Sequence, residues 1–424
     1  MLPPDMTGGA GGRLLPPSIP FRFFGTAVVM HVFAWVAIVV SGDGLPNFTG
    51  GTGPVLMALH ILTLGVLLMT AMGAVFQLLP MATKKTVRSQ ALCNLTYWLF
   101  TPGIMVLLLG FGINHQFLME LGATFASGAG FLFVFLLVDN LWHVNDMPVI
   151  RLHVGIATLS LFLLLLLGVL LVCDFTLGFL SNHFTIARAH AILAIFGFMG
   201  MLTLGLSYIL VPMFVLGRAA PNDIGLLSGR LAGAGIFIAA IGGIFEIPYT
   251  SIPAAILGVA GIAVYLKAMF IIVKSRMKKQ LGDAFVLLRA SWILLFITIG
   301  IGLALSLGVS IPNGSALFVF VASFGWLLSF LTGILQRIMP YLASMHANRP
   351  GKRSPLLSKL VDEDGLKLHL FAHFLGITAV SLGIIAEEGI LVQTGGGLGL
   401  IGALGFSWFA IQLWRRSLNH LNSP

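Results

Sequence analysis

Charge is what this chain has least of. Asp, Glu, Lys and Arg make up 9% of its 424 residues against 58% hydrophobic residues, where a soluble domain carries about 25% charged residues. That scarcity excludes a water-soluble fold and leaves a polytopic membrane protein. Cysteine is scarcer still: Cys93 and Cys173 are the only two. Both fall in apolar stretches without metal-type spacing, so they read as small core residues. Carboxylates and lysines are missing from the middles of the apolar runs, which removes the buried ion pairs that commonly couple transport to ions.

What is present is a set of apolar runs long enough to cross a bilayer. They fall near 22–41, 54–80, 92–113, 117–140, 152–173, 185–212, 229–246, 252–274, 286–308, 315–340, 367–386 and 394–414. With both termini cytoplasmic, every one of the 23 Lys and Arg residues except Arg188 falls on the inner side. That is the positive-inside rule at nearly full strength, and an error of one span would scramble it. The sequence therefore predicts an all-α polytopic membrane protein of twelve transmembrane helices, N-in and C-in, in a single integral membrane domain. The net charge of +9 belongs to this topology and is no reason to invoke nucleic acid. No cleavable signal pattern precedes the first span, which is expected to stay as an anchor. The stretch 342–366 is expected to be a solvated connector.

Three of the spans share a signature. Gly65–Gly73–Pro80, Gly197–Gly205–Pro212 and Gly325–Gly333–Pro340 repeat with offsets of 132 and 128 residues. Their endings, GAVFQLLPM, GLSYILVPM and GILQRIMPY, agree as well. The chain reads as three repeats of four helices, about 22–140, 151–274 and 286–414, in a pseudo-threefold arrangement. The glycine–proline helix is the second of each set. Gln77 and Gln336 stand at a common repeat position and are expected to bond carbonyls freed by the prolines.

Histidines in a membrane interior are costly and so point to function. The topology puts His60 and His190 in the outer third, His31 near the middle, and His153, His369 and His373 in the inner third. His60 stands 20 residues before its proline and His190 stands 22 before its own, which turns them about 200° apart on a common helix. On an α-helical wheel His190 falls in the glycine–proline sector and His60 outside it. The third repeat has Phe318 and Phe320 at these places. His369 and His373, in HLFAH, are one turn apart on one face; they supply half of a metal site, or line a proton path with His153.

The strings HILTLGVLLMTAMGAVFQLLP and HAILAIFGFMGMLTLGLSYILVP resemble the haem-bearing helix of haem–copper oxidase catalytic subunits, the cbb3 type above all. ALHILTLG at 58–65 is similar to a helix of the NnrS family, twelve-helix membrane proteins reported as haem- and copper-containing. The resemblance implies a b-type haem, with copper as a second candidate, in a bacterial cytoplasmic (inner) membrane. It carries His60 to the low-spin haem-ligand position and His190 to that of the high-spin haem ligand. His31 is the nearest second axial group for His60, with a height mismatch of about 6 Å against roughly 10 Å for His373. Met57 and Met199 are candidate sixth ligands. Arg188, two residues from His190, suits an outward-facing propionate. The chain departs from the oxidases at helix 10, which lacks His-x-His, and at helices 6 and 7, which lack the copper-binding histidines. Those departures remove dioxygen reduction and leave a redox or nitric-oxide-stress role, with respiratory or denitrification membrane proteins as partners. Two other classes stay open: a membrane transporter or channel, and a cofactor-free assembly or scaffold protein for a respiratory or denitrification complex.

Overall fold

The computed structural model describes residues 14–142, 144–347 and 354–422. Twelve helices in it are long and apolar enough to cross a membrane. They are α1 (Ser18–Val40), α2 (Pro54–Thr83), α3 (Gln90–Ile113), α4 (Gln116–Leu141), α5 (Pro148–Leu177) and α6 (His183–Val215). Then follow α7 (Asn222–Ile244), α8 (Ser251–Lys274), α9 (Asp283–Ser306), α10 (Gly314–His346), α11 (Glu363–Ala386) and α12 (Gly389–Asn422). The protein is thus an all-α polytopic membrane protein, as its charge scarcity requires.

Local chemistry sets the helix ends. Ser89 accepts from the Leu92 amide to start α3, Asn182 from Thr185 to start α6, and Asp362 from Gly365 to start α11, each satisfying an amide that the helix itself leaves open. Proline is the first residue of α2 and α5, where its missing N–H costs nothing. Left-handed residues close α2, α3, α5, α6 and α11: Lys84, Asn114, Gly178, Leu216 and Glu387.

The three glycine–proline helices are the interior ones. Their most apolar windows are 67% (α2), 72% (α6) and 89% (α10) buried, against 33–56% for the other nine. Each carries a π-helical segment: Ile61–Leu68, Leu193–Gly200 and Val321–Leu327. These segments start 132 and 128 residues apart, and Gly65, Gly197 and Gly325 are each the fifth residue of one. A π turn bonds i→i+5 and winds more slowly than an α turn. The wheel that puts His190 in the glycine–proline sector assumes an unbroken α-helix and fails across it. His60 and His190 both precede their π segments, so the turn between those two positions is unaffected.

Helix pairs α3/α4, α7/α8 and α11/α12 are hairpins closed on glycine. A Cβ on Gly122 would lie 2.3 Å from the Leu107 amide, one on Gly261 2.7 Å from that of Ala232, and one on Gly376 2.7 Å from that of Gly399. Backbone approaches that close are how membrane helices gain dispersion energy without help from water.

By its contacts the chain divides into two compact units. One is Leu68–Lys279 with the start of α1 up to Phe23; the other is Phe24–Leu67 with the chain from Gln280 on. Two expectations need correction. Gln77 accepts from the Leu15 amide and donates to Met81 Sδ, while both polar atoms of Gln336 lack a hydrogen-bond partner. Neither bonds a carbonyl freed by proline. The stretch 342–366 holds more helix than a plain connector, since α10 continues to His346 and a short helix covers Leu357–Leu360, but 354 and 356–359 are exposed as a solvated connector would be. Residues 348–353 of that stretch lie outside the described ones.

Candidate functional site

The strongest concentration of buried polar groups is in the second unit. His31 and Trp35 are one turn apart on α1, and His369 and His373 one turn apart on α11, so each pair shares a helix face. All four side chains are 0–1% exposed. The His31 and His369 ring centroids are 5.7 Å apart, and those of His369 and His373 5.1 Å. Trp35 lies 6.2 Å from His373, and Phe406 of α12 lies 5.1 Å from His369. The structure thus joins three histidines that the sequence gives to two different sites, His31 as a haem ligand and the α11 pair as metal ligands.

Glycines of α12 make the cluster possible. A Cβ at Gly399 would sit 2.2 Å from the Trp35 indole, so only glycine admits that ring. A Cβ at Gly402 would lie 3.0 Å from the His373 amide. At that approach the Gly402 carbonyl reaches His369 in the facing helix.

Each ring is held through one nitrogen. Trp35 Nε1–H donates to His31 Nε2 at 3.2 Å, and His369 Nδ1–H donates to the Gly402 carbonyl at 3.1 Å. His373 Nε2 and Ser329 Oγ of α10 share a hydrogen bond of 2.8 Å. The other nitrogen of each ring, His31 Nδ1, His369 Nε2 and His373 Nδ1, has no hydrogen-bond partner. Indole only donates, so neutral His31 carries its proton on Nδ1. His369, donating through Nδ1, has a bare Nε2. His373 has a bare Nδ1 when its Nε2–H donates to Ser329. One fixed N–H donor, one fixed lone pair and one hydroxyl-controlled lone pair therefore lie buried together. Buried polar atoms without partners are rare and call for an explanation.

The sequence-predicted haem residues stand elsewhere. In the first unit, His190 is half-buried and donates from Nδ1 to the Leu164 carbonyl of α5 at 2.9 Å. Its ring edge fills the space over Gly168, where a Cβ would meet Cε1 at 3.2 Å. Arg188 is exposed, near Gly243 of α7. In the second unit, His60 is half-buried and hydrogen-bonded through Nδ1 to the Leu56 carbonyl at 3.0 Å. His153 is in the first unit, buried between Gly205 and Gly229 with Tyr208 5.5 Å away. Met199 is buried and Met57 half-buried. Glu246 lies past the end of α7, exposed, and accepts from Asn182.

Among the described residues, no group of three or more His, Cys, Asp or Glu side chains is arranged to hold a metal ion. Asp174, paired with His183 at 2.8 Å in the first unit, is the one buried carboxylate among them. No carboxylate among the described residues is therefore buried beside the three-histidine cluster. Trp35, Ser329, Gly399 and Gly402 are the site residues that sequence reasoning missed. Three of them had a signal: Trp35 follows His31 by four as His373 follows His369, and Gly399 and Gly402 lie in 395–405, which reads GGGLGLIGALG. The partner Ser329 had none.

This fold defines a class, the multi-pass integral membrane proteins with histidines buried inside the helix bundle. No protein-family model matches the sequence, and no curated protein matches it.

Proposed function

We propose that the chain is a haem-binding redox membrane protein, a relative of the haem–copper oxidases that does not reduce dioxygen and is nearest in kind to NnrS. The observation that carries the reading is the anchoring of His190. Its Nδ1–H is tied to the Leu164 carbonyl, which fixes the tautomer with the lone pair on Nε2, the arrangement that orients and strengthens an axial imidazole. His60 Nδ1 is hydrogen-bonded to the Leu56 carbonyl one turn back on its own helix. Arg188 supplies a cation two residues from His190 for a propionate. His31 drops out as an axial ligand because its Nε2 lone pair already accepts the Trp35 proton.

A b-type haem, when bound, supplies an iron centre for one-electron chemistry on a small molecule such as nitric oxide. The chain's part is to set ring orientation, through carbonyls that cannot titrate, and to keep the surroundings apolar. The reading places the protein in a bacterial cytoplasmic membrane, working beside respiratory or denitrification proteins. Protein purified from haem-replete cells should show a Soret band and a pyridine haemochrome of the b type, both reduced by His190→Ala or His60→Ala. A colourless preparation from such cells overturns the reading. Solute uptake by its vesicles would then favour a transporter, and co-purification with respiratory subunits a scaffold.

A further inference from the structure

We propose that the corner where α6 and α8 end binds the headgroup of an anionic diacyl phospholipid through Arg218, Lys274 and Lys267. The inference stands apart from the haem reading, since it shares no residue with His60, His190 or Arg188.

The corner is built by joining two helix ends within the first unit. Leu216 closes α6 in the left-handed region, and the residues after it run beside the end of α8. Met277 donates its amide to the Leu216 carbonyl and Lys278 to that of Val215, both at 3.3 Å. The Arg218 amide donates to Ser275 Oγ at 2.8 Å, and that hydroxyl donates to the Ile272 carbonyl. Gly217 permits the approach, because a Cβ there would lie 2.8 Å from the Ile272 carbonyl oxygen. Arg218 is thereby held beside Ser275, which Lys274 and Arg276 flank.

These cations lack counter-charges. Between Leu216 and Lys279 the chain carries seven basic residues and two acidic ones, Asp223 and Glu246, and Glu246 lies past the far end of α7. Arg218, Lys267, Lys274, Arg276 and Lys279 are exposed, and none of the five forms an ion pair with a described carboxylate. Cations gathered this closely repel one another, and a phosphate among them removes that cost.

Lys267 decides the kind of anion. It stands seven residues before Lys274, about 10 Å along the helix, inside a span apolar enough to cross a membrane. An ionisable side chain at that depth is costly and needs a partner. At 100° per residue, Lys267, Phe270 and Lys274 fall within about 60° of one another, and all three are exposed. A soluble anionic partner reaches Lys274 but not a lysine that far up the span. A phospholipid lies along the same face. Its phosphate meets Lys274 and Arg218, the Lys267 ammonium reaches down the helix toward it, and Phe270, 66% exposed, borders the acyl chains. On the topology read from the basic residues, this end faces the cytoplasm, the side on which juxtamembrane basic clusters bind anionic lipid.

The test uses the full chain, delipidated in detergent and titrated with phosphatidylglycerol or with phosphatidylcholine of the same acyl chains. Native mass spectrometry counts the bound lipids. The first phosphatidylglycerol should bind at least about tenfold more tightly than phosphatidylcholine, and Lys267→Gln or Lys274→Gln should each lower that preference about three- to fivefold. Arg415→Gln removes one exposed cation of α12 and should leave the preference unchanged. Excess inorganic phosphate should leave the first lipid in place. Elution profiles screen each variant for folding; should Lys267→Gln not fold, Lys274→Gln and the phosphate competition decide. The proposal fails if the two lipids bind alike, if the folded lysine variants keep the full preference, if Arg415→Gln lowers it equally, or if inorganic phosphate displaces the lipid. None of these outcomes bears on the Soret band, so the lipid and haem readings stand or fall separately.

Discussion

His190 fills the space that a side chain on Gly168 would need: a Cβ there would stand 3.2 Å from its Cε1. The same relation recurs in the third glycine–proline helix, where Phe318 lies over Gly302 at 2.9 Å. Phe318 follows His190 by 128 residues, the spacing between the Gly–Gly–Pro frames of α6 and α10, and both rings face the preceding helix. One slot thus holds an imidazole in α6 and a benzene ring in α10.

Gly168→Val should therefore displace the His190 ring while leaving the residue in place. On the haem reading, haem per polypeptide should fall by more than half, with the protein still monodisperse. Unchanged haem content in the folded variant would show that His190 does not need this orientation.

Trp35→Phe keeps a ring over Gly399 but removes the donor to His31 Nε2. Ser329→Ala removes the partner of His373 Nε2. Each leaves a buried ring nitrogen unmet, so each should cost about 1–3 kcal/mol. The check is the apparent melting temperature of metal-free protein in one detergent. A shift indistinguishable from wild type would mean that these bonds hold nothing.

Gly399→Ala puts a methyl group 2.2 Å from the Trp35 indole, and overpacking of this kind costs about 1–3 kcal/mol. Gly397→Ala, two residues earlier with nothing within 4 Å, should be neutral or stabilising by up to about 1 kcal/mol, because alanine is the better helix former. The two melting curves should separate in opposite directions from wild type.

Arg88→Ala removes an ion pair with Asp139 at 2.8 Å, whose side chains are 58% and 26% exposed. Exposed pairs contribute little, so the loss should stay below about 0.5 kcal/mol. Arg88 also lies over the Phe135 ring, 5.6 Å from its centroid, so a fall of several degrees in melting temperature would show that one of these two contacts does more than an ordinary surface pair.

The architecture was readable in the sequence because lipid imposes it: apolar length, basic residues sorted to one side and a recurring glycine–proline frame leave few alternatives. The histidines were readable as unusual for the same reason. Their grouping was not. Helix heights counted along the chain separated His31 from His369, yet neither count includes helix tilt or the direction of a side chain. The π turns were likewise hidden, because nothing in ILTLGVLL, LAIFGFMG or VASFGWL departs from ordinary helix composition. The bonds from Trp35 and Ser329 link helices distant in sequence, and no local pattern forecasts those partners.

The hairpin of α11 and α12 has no compliance to offer. Gly376, Gly383, Gly395 and Gly405 each bring a backbone within 2.6–2.8 Å of where their own Cβ would be. Sliding or parting these two rods would forfeit the whole seam at once. Whatever packs against His369 and His373 must therefore accommodate itself to a stiff post, whose two rings are themselves held by the Gly402 carbonyl and Ser329 Oγ. Small rigid guests would gain from such a post, whereas cargo that demands a widening cleft would find none there.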